Sequence, residues 1–168
     1  WYKKASELGN AYAQKNLADL YYNGYGVDVD YHEAAKWYLK AAEGGNMDAQ
    51  ESIAKCYVSG KGVEQNYQKA IEWRRKGADN GNNTCISNLG WHYQYGKGVT
   101  QDYKKAFEYY KKASENGDDW EKNKLGEFYE NGYGVAADIQ EAIKWYREAA
   151  KLGNEDAKAS LERLGESL

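Results

Sequence analysis

The sequence predicts an all-α fold, a solenoid of stacked helix–turn–helix units, on three observations. A 36-residue period runs through the chain without insertion or deletion, linking Trp1, Trp37, Trp73, Tyr109 and Trp145, and likewise Gly9, Gly45, Gly81, Gly117 and Gly153. Four periods carry a Gly-x-Gly-Val block, at Gly24-Tyr25-Gly26-Val27, Gly60-Lys61-Gly62-Val63, Gly96-Lys97-Gly98-Val99 and Gly132-Tyr133-Gly134-Val135. Between these blocks apolar residues recur at helical spacing, and the chain has no proline to kink a helix interior. A fixed period of this length marks repeat architectures, in which each unit buries its apolar face against the next.

The first complete unit shows how each element is specified. Asn10 is a natural N-cap, and Ala13, Leu17, Leu20 and Tyr21 then form one apolar face. Gly24 stops this helix in the left-handed conformation. Asp30 caps the next helix, and Glu33, three residues on, completes a capping box that Asp138 and Glu141 repeat. Ala34, Trp37, Tyr38, Ala41 and Ala42 are the second apolar stripe; Gly45 ends it and Asn46 starts the next unit.

The period places first-type helices near 10–23, 46–59, 82–95, 118–131 and 154–165, and second-type helices near 1–8, 31–44, 67–80, 103–116 and 139–152. The chain reads as a single array of units 10–45, 46–81, 82–117 and 118–153, with partial units 1–9 and 154–168. The loop glycines Gly24, Gly26, Gly60, Gly62, Gly96, Gly98, Gly132 and Gly134 are structural, with positive φ expected at one or both of each pair. The helical pattern is already under way at Trp1, so a piece of a longer protein is expected and the compartment stays open.

Composition excludes several function classes. The net charge is −3, with 23 basic residues spread among 26 acidic ones, so the basic cluster that phosphate contact needs is missing and no nucleic acid is expected. No stretch reaches the roughly 20 apolar residues of a membrane-spanning helix, so no direct membrane insertion is expected. A mean hydropathy of −0.98 would suit disorder, but 17 Tyr and 6 Trp argue for a packed chain.

Cys56 and Cys85, reduced to one unit, lie seven residues apart, about 10 Å along a helix axis. That is too far for a disulfide, so both are expected to be small core fillers. His32 has no metal-ligand cluster around it and falls early in a second-type helix; His92 takes a core-facing slot and reads as a satisfied histidine. No metal or cofactor is expected.

The pattern Ala-x3-Leu-Ala/Gly-x2-Tyr-x2-Gly-x-Gly-Val-x2-Asp/Asn-x3-Ala-x2-Trp-Tyr-x2-Ala-Ala-x2-Gly resembles the Sel1-like repeat, a relative of the tetratricopeptide repeat with a longer, glycine-marked loop. The resemblance covers essentially the whole chain. It implies a right-handed α-superhelix and an adaptor role. Departures from the pattern are Glu121 where Ala13, Ala49 and Ala157 stand, Arg74 in place of Tyr38, Tyr110 and Tyr146, and His92 in the slot of Leu20 and Phe128. The middle position of the loops varies by repeat between Tyr (Tyr25, Tyr133) and Lys (Lys61, Lys97).

By analogy with tetratricopeptide proteins, the polar side of each first-type helix should line a concave groove. Those positions vary from unit to unit while the frame repeats. Partner-binding candidates are Trp91 and Tyr95, four residues apart on one face, with Lys55, Glu127, Trp120, Tyr12, Asp19 and Tyr22. The expected function is a non-enzymatic protein–protein interaction scaffold that holds a protein or peptide segment in its groove. The sequence leaves the oligomeric state open, with a monomer expected.

A carbohydrate or cell-envelope polymer is the alternative ligand, since exposed Trp and Tyr beside Asn and Asp also suit sugar faces. A third reading rests on Ser52 and Lys55, a Ser-x-x-Lys pair as in penicillin-binding enzymes. Some cysteine-rich relatives of the repeat family have been connected with penicillin binding. Here the companion motifs are missing, the cysteine pair of each repeat is absent, and the helix face is predicted to be solvated, so no catalytic residue is assigned.

Overall fold

A computed structural model describes residues 6–117 and 119–167. Among them nine α-helices and no strand are found: α1 (Ala11–Asn23), α2 (Tyr31–Glu43), α3 (Met47–Ser59), α4 (Tyr67–Asp79), α5 (Asn83–Tyr95), α6 (Tyr103–Ser114), α7 (Asp119–Asn131), α8 (Ile139–Lys151) and α9 (Glu155–Arg163). All nine fall within two residues of the expected boundaries, with α6 and α9 each stopping two residues early, at 114 and 163. The helix expected near 1–8 lies mostly outside the described residues, of which only 6 and 7 are helical. The chain divides inside α5 into two compact halves, residues 1–85 and 86–168.

In the first half α1 packs on α2, α2 on α3 and α3 on α4. Leu17, Ala34, Trp37, Tyr38, Ile53 and Cys56 are buried together there. In the second half α6, α7, α8 and α9 pack in the same succession. Its core holds Tyr110, Leu125 and Phe128 at one end and Ile143, Tyr146 and Leu161 at the other. Alanines at the contact positions (Ala34, Ala106, Ala142, Ala149) are fully covered, so the helix axes approach closely.

Side chains start the helices as the sequence predicts. Asn10, Asn46 and Asn154 each accept from the backbone N–H three residues on, at 2.8–2.9 Å. The capping boxes are a correction. Asp30 Oδ1 does accept from the N–H of His32 and Glu33, but Glu33 turns outward to Lys36 instead of reaching back. Glu141 likewise pairs with Lys144. The reason is that the cap's own N–H is already spent: Asp30 N–H donates to the Tyr21 carbonyl at 2.9 Å, and Asp138 N–H to Tyr129 at 2.9 Å. Asn66 to Tyr57 and Asp102 to Tyr93 repeat this closure at 2.8 and 2.9 Å.

All eight loop glycines have positive φ, between 65° and 77°. In the loops of Gly62 and Gly134 the second glycine is constrained twice. A Cβ on Gly62 would fall on the backbone carbonyl of Tyr31, and one on Gly134 on the backbone of Tyr103 and Lys104. Each such loop therefore sits directly on the start of the preceding second-type helix.

Departures from the repeat are matched by compensating neighbours. Cys85 stands where Ala13, Ala49 and Ala157 stand, and Gly77 where Ala41, Ala113 and Ala149 stand. A Cβ on Gly77 would collide with the Cys85 sulfur, so one residue has grown as its neighbour shrank. Both cysteines are free and buried. Burial pushes the Cys56 thiol up to about 11. His92 is fully buried rather than half-buried, and its Nδ1 lies 2.6 Å from the Lys97 carbonyl of its own loop.

Candidate functional site

The polar face is built jointly by first-type helices and one residue of each second-type helix. Tyr38 on α2 donates through its hydroxyl to Asp19 Oδ1 on α1 at 2.6 Å. Tyr110 on α6 donates to Gln94 Oε1 on α5 at 2.7 Å, and Tyr146 on α8 to Glu130 Oε2 on α7 at 2.7 Å. Burial first, then the carboxylate partner, raises the Tyr38 and Tyr146 phenols far above their ordinary range. In place of tyrosine, Arg74 on α4 grips Glu51 on α3 with two bonds of 2.9 and 3.0 Å. The ring bodies belong to the core, and the Tyr38 and Tyr146 hydroxyls reach the face, whereas Tyr110 is wholly buried with its hydroxyl on buried Gln94.

Two clefts open on this face, one within each half. The smaller, about 210 Å³, is lined by Tyr22, Asn23, Tyr38, Ser52 and Lys55. The larger, about 560 Å³, includes Glu130, Asn131, Tyr146, Ser160 and Arg163. These five are the first five moved on by 108 residues, three periods of 36. Asn, Tyr and Ser are retained, Lys55 becomes Arg163, and Tyr22 becomes Glu130. The larger cleft adds Tyr95, Tyr103, Glu127 and Tyr133.

The charges of the larger cleft are internally bonded. Arg163 reaches Glu130 at 2.7 and 2.8 Å, and that bond first, helped by the Tyr146 hydroxyl, holds the Glu130 carboxyl below its ordinary range. Glu127 accepts from Asn123 at 3.1 Å and from Lys124 at 2.6 Å. Tyr133 stacks on Tyr103 with ring centroids 4.8 Å apart, and both rings meet Phe128 edge-on.

The sequence candidates are distributed unevenly over these clefts. Tyr95 is 50% exposed and lines the larger cleft with Glu127. Trp91 is half-buried, its ring 5.5 Å from Tyr95 and 5.3 Å from His92, and it supports Tyr95 from outside the cleft lining. Trp120 packs edge-on against Tyr110 and carries the Lys124 ammonium 5.6 Å over its ring. In the other half, Lys55 and Tyr22 line the smaller cleft, and Asp19 pairs with Lys15 at 2.7 Å beneath Tyr38. Tyr12, 75% exposed, lines neither cleft.

A single-helix wheel places Ser87, Gln94 and Asn123 on the solvated face, but all three are buried. Neighbouring helices cover the flanks that a wheel of one helix treats as open. Conversely, Tyr103, Tyr133, Tyr146, Glu130, Ser160 and Arg163 were not singled out. The tyrosines sit at frame or loop positions, and only the Lys-to-Tyr exchange at 133 hinted at a second role. Ser52 is half-buried, Lys55 is exposed, and no hydrogen bond joins them among the described residues. Among those residues no group of His, Cys, Asp and Glu could hold a metal, and no helix is long and apolar enough to cross a membrane.

The Sel1 repeat family model matches residues 1–10, 11–46, 48–82, 85–118 and 122–154. The chain is 38% identical to a Sel1 repeat protein from Oxalobacter formigenes, with a TM-score of 0.90 over 96% of this chain and 66% of that one. A protective antigen of uropathogenic Escherichia coli with an SLR fold is 36% identical, with a TM-score of 0.90 over 94% of this chain and 34% of that one. Helicobacter pylori cysteine rich protein B is 32% identical, with a TM-score of 0.62 over 79% of this chain and 96% of that one. The chain thus spans about two thirds of the length of the first and one third of the second. A search of curated proteins finds no match.

Proposed function

The chain belongs to the Sel1 repeat family, whose fold commonly serves as a non-enzymatic protein–protein interaction scaffold, and from that premise we propose that it binds a protein or peptide segment along the polar face of its first-type helices. One observation carries this reading. The same five-residue cleft recurs 108 residues on, in register, with its frame retained and its specificity-bearing corners changed. A repeated frame with variable corners suits recognition of a segment in extended or helical form. Tyr95 and Glu127, backed by Trp91, form the proposed centre in the second half, with Trp120 at its margin. Lys55, Tyr22 and Asp19 form the corresponding surface in the first, and Tyr12 flanks it. No catalytic residue is assigned to either half.

A peptide array probed with the chain, followed by Trp91→Ala and Tyr95→Ala, tests this. Selected peptides should lose more than about fivefold in affinity to each variant, the scale of a hot-spot residue, with the helical circular-dichroism signal retained. Normal peptide binding by both variants would remove these residues from the site. Binding on a glycan array, with no peptide selected, would give the face to carbohydrate instead.

A further inference from the structure

Aromatic rings of this protein, from buried Trp37 and Tyr93 to exposed Trp120, are repeatedly covered by its own lysines. Lys40 lies over Trp37, Lys76 over Trp73, Lys69 over Tyr57, Lys105 over Tyr93 and Lys124 over Trp120, at 4.2–5.6 Å from the ring centroids. In the first half Lys61 lies 4.9 Å over Tyr31 and 5.5 Å over Tyr22. The larger cleft breaks the habit. The residues 72 positions after Tyr31 and Lys61 are Tyr103 and Tyr133, so the loop lysine has become a second ring stacked on the first.

Tyr95, Tyr103 and Tyr133 remain 50%, 36% and 37% exposed, and among the described residues no lysine or arginine of the chain lies over any of them. Tyr12 and Tyr25 are also bare but line no cleft. The carboxylates of Glu127 and Glu130 border the same cleft, Glu130 bound to Arg163 and Glu127 to Lys124, whose ammonium lies over Trp120 and not over the cleft's tyrosines. A carboxylate oxygen has lone pairs beyond its first hydrogen bond, so both acids can accept another donor.

We propose that this cleft takes a basic side chain, arginine or lysine, from the bound segment, laid against the Tyr95 and Tyr133 rings with its N–H groups directed to Glu127 and Glu130. The partner supplies here the cation that Lys61 supplies within the first half. Ring quadrupoles and carboxylates both favour the positive charge, and the walls of the cleft reduce its screening. The inference rests on the peptide-binding reading of this face and names the chemistry of one contact.

The probe is N-acetyl-arginine methylamide, against N-acetyl-citrulline methylamide, which has a similar shape and no charge. Titrated into the isotope-labelled chain, the arginine compound should give saturable NMR shifts around Tyr95 and the 132–134 loop. The citrulline compound should bind at least about fivefold more weakly, the scale of a partly desolvated cation–π contact. Tyr133→Lys restores the residue natural at Lys61 and Lys97, so it fits the loop; it should weaken the arginine compound by a similar factor. Tyr95→Leu, a second variant outside the loop, should weaken it as well.

Equal binding of citrulline, no saturable shift with arginine, or an unaffected Tyr133→Lys protein would overturn the proposal. The parent reading fails by a different result. Peptides without basic residues that bind this cleft leave the scaffold reading standing and overturn only the cation. A face that binds glycans and no peptide overturns both.

Discussion

Lys61, Arg74 and Glu51 in the first half correspond, 72 residues on, to Tyr133, Tyr146 and Asn123 in the second. The first half satisfies its polar face with its own charges: Lys61 covers Tyr22 and Tyr31, and Arg74 is locked to Glu51. The second half replaces both cations with phenol rings, and there the larger cleft opens. Asn123, at the position of Glu51, gives its amide N–H to Glu127, and its buried carbonyl oxygen has no partner among the described residues. One backbone frame therefore supports a face whose loop ring is covered by a lysine and one whose loop rings are left bare, and Lys61, Arg74 and Glu51 are among the positions that differ.

Each half has a joint in which a loop glycine lies on the backbone of an earlier helix, and that joint gives the largest expected effect. Gly62→Ala and Gly134→Ala should each destabilise by about 3 kcal/mol or more, since a Cβ meets backbone as well as a positive φ. Gly26→Ala has the φ of 74° without a neighbour within 4 Å and should cost about 1–2 kcal/mol. Denaturant unfolding of the three variants measures this, and a Gly62→Ala loss no larger than that of Gly26→Ala would refute the close approach.

A smaller effect sharpens the comparison inside the first half. Cys85→Ala should cost about 1–2 kcal/mol through the space it leaves, and Gly77→Ala about 2 kcal/mol through overpacking. The double variant recreates the Ala–Ala pair of Ala41 with Ala49 and of Ala149 with Ala157, so it should lie within about 1 kcal/mol of the parent. Additive losses would show that the two positions are independent.

The smallest effect separates the halves by pH. The Glu130 carboxyl is held below its ordinary range, chiefly by Arg163, so its contribution to stability is present above the unfolded carboxylate range. It is lost as pH falls through the folded value. Stability should therefore decline in acid, and Glu130→Gln should flatten that limb in thermal melts. An unchanged acid limb would mean that the Glu130–Arg163 contact adds nothing in solution.

The frame was legible because each of its rules is local. A cap side chain, a glycine at positive φ and a helical stripe are specified within a few residues, and the period repeats the specification. The open cleft was only partly legible. Tyr95 and Glu127 could be found because they vary where the frame does not. Tyr146 was hidden because it serves the frame and the face at once, with its ring in the core and its hydroxyl on Glu130. Glu130 and Arg163 meet across 33 residues, a pairing that helix periodicity within one unit does not display.

The N-cap amide that returns to a tyrosine carbonyl does so in four loops, from Asp30, Asn66, Asp102 and Asp138. That bond uses main-chain atoms alone, so every residue with an amide hydrogen can make it, and only the loop glycines and the cap side chain have to be kept beside it. A 36-residue stretch copied in tandem would bring its own joint along, already closed. The newly inserted copy is then free to drift on its exposed side while its fastening stays intact, which gives such chains an inexpensive way to lengthen and to diversify what they hold.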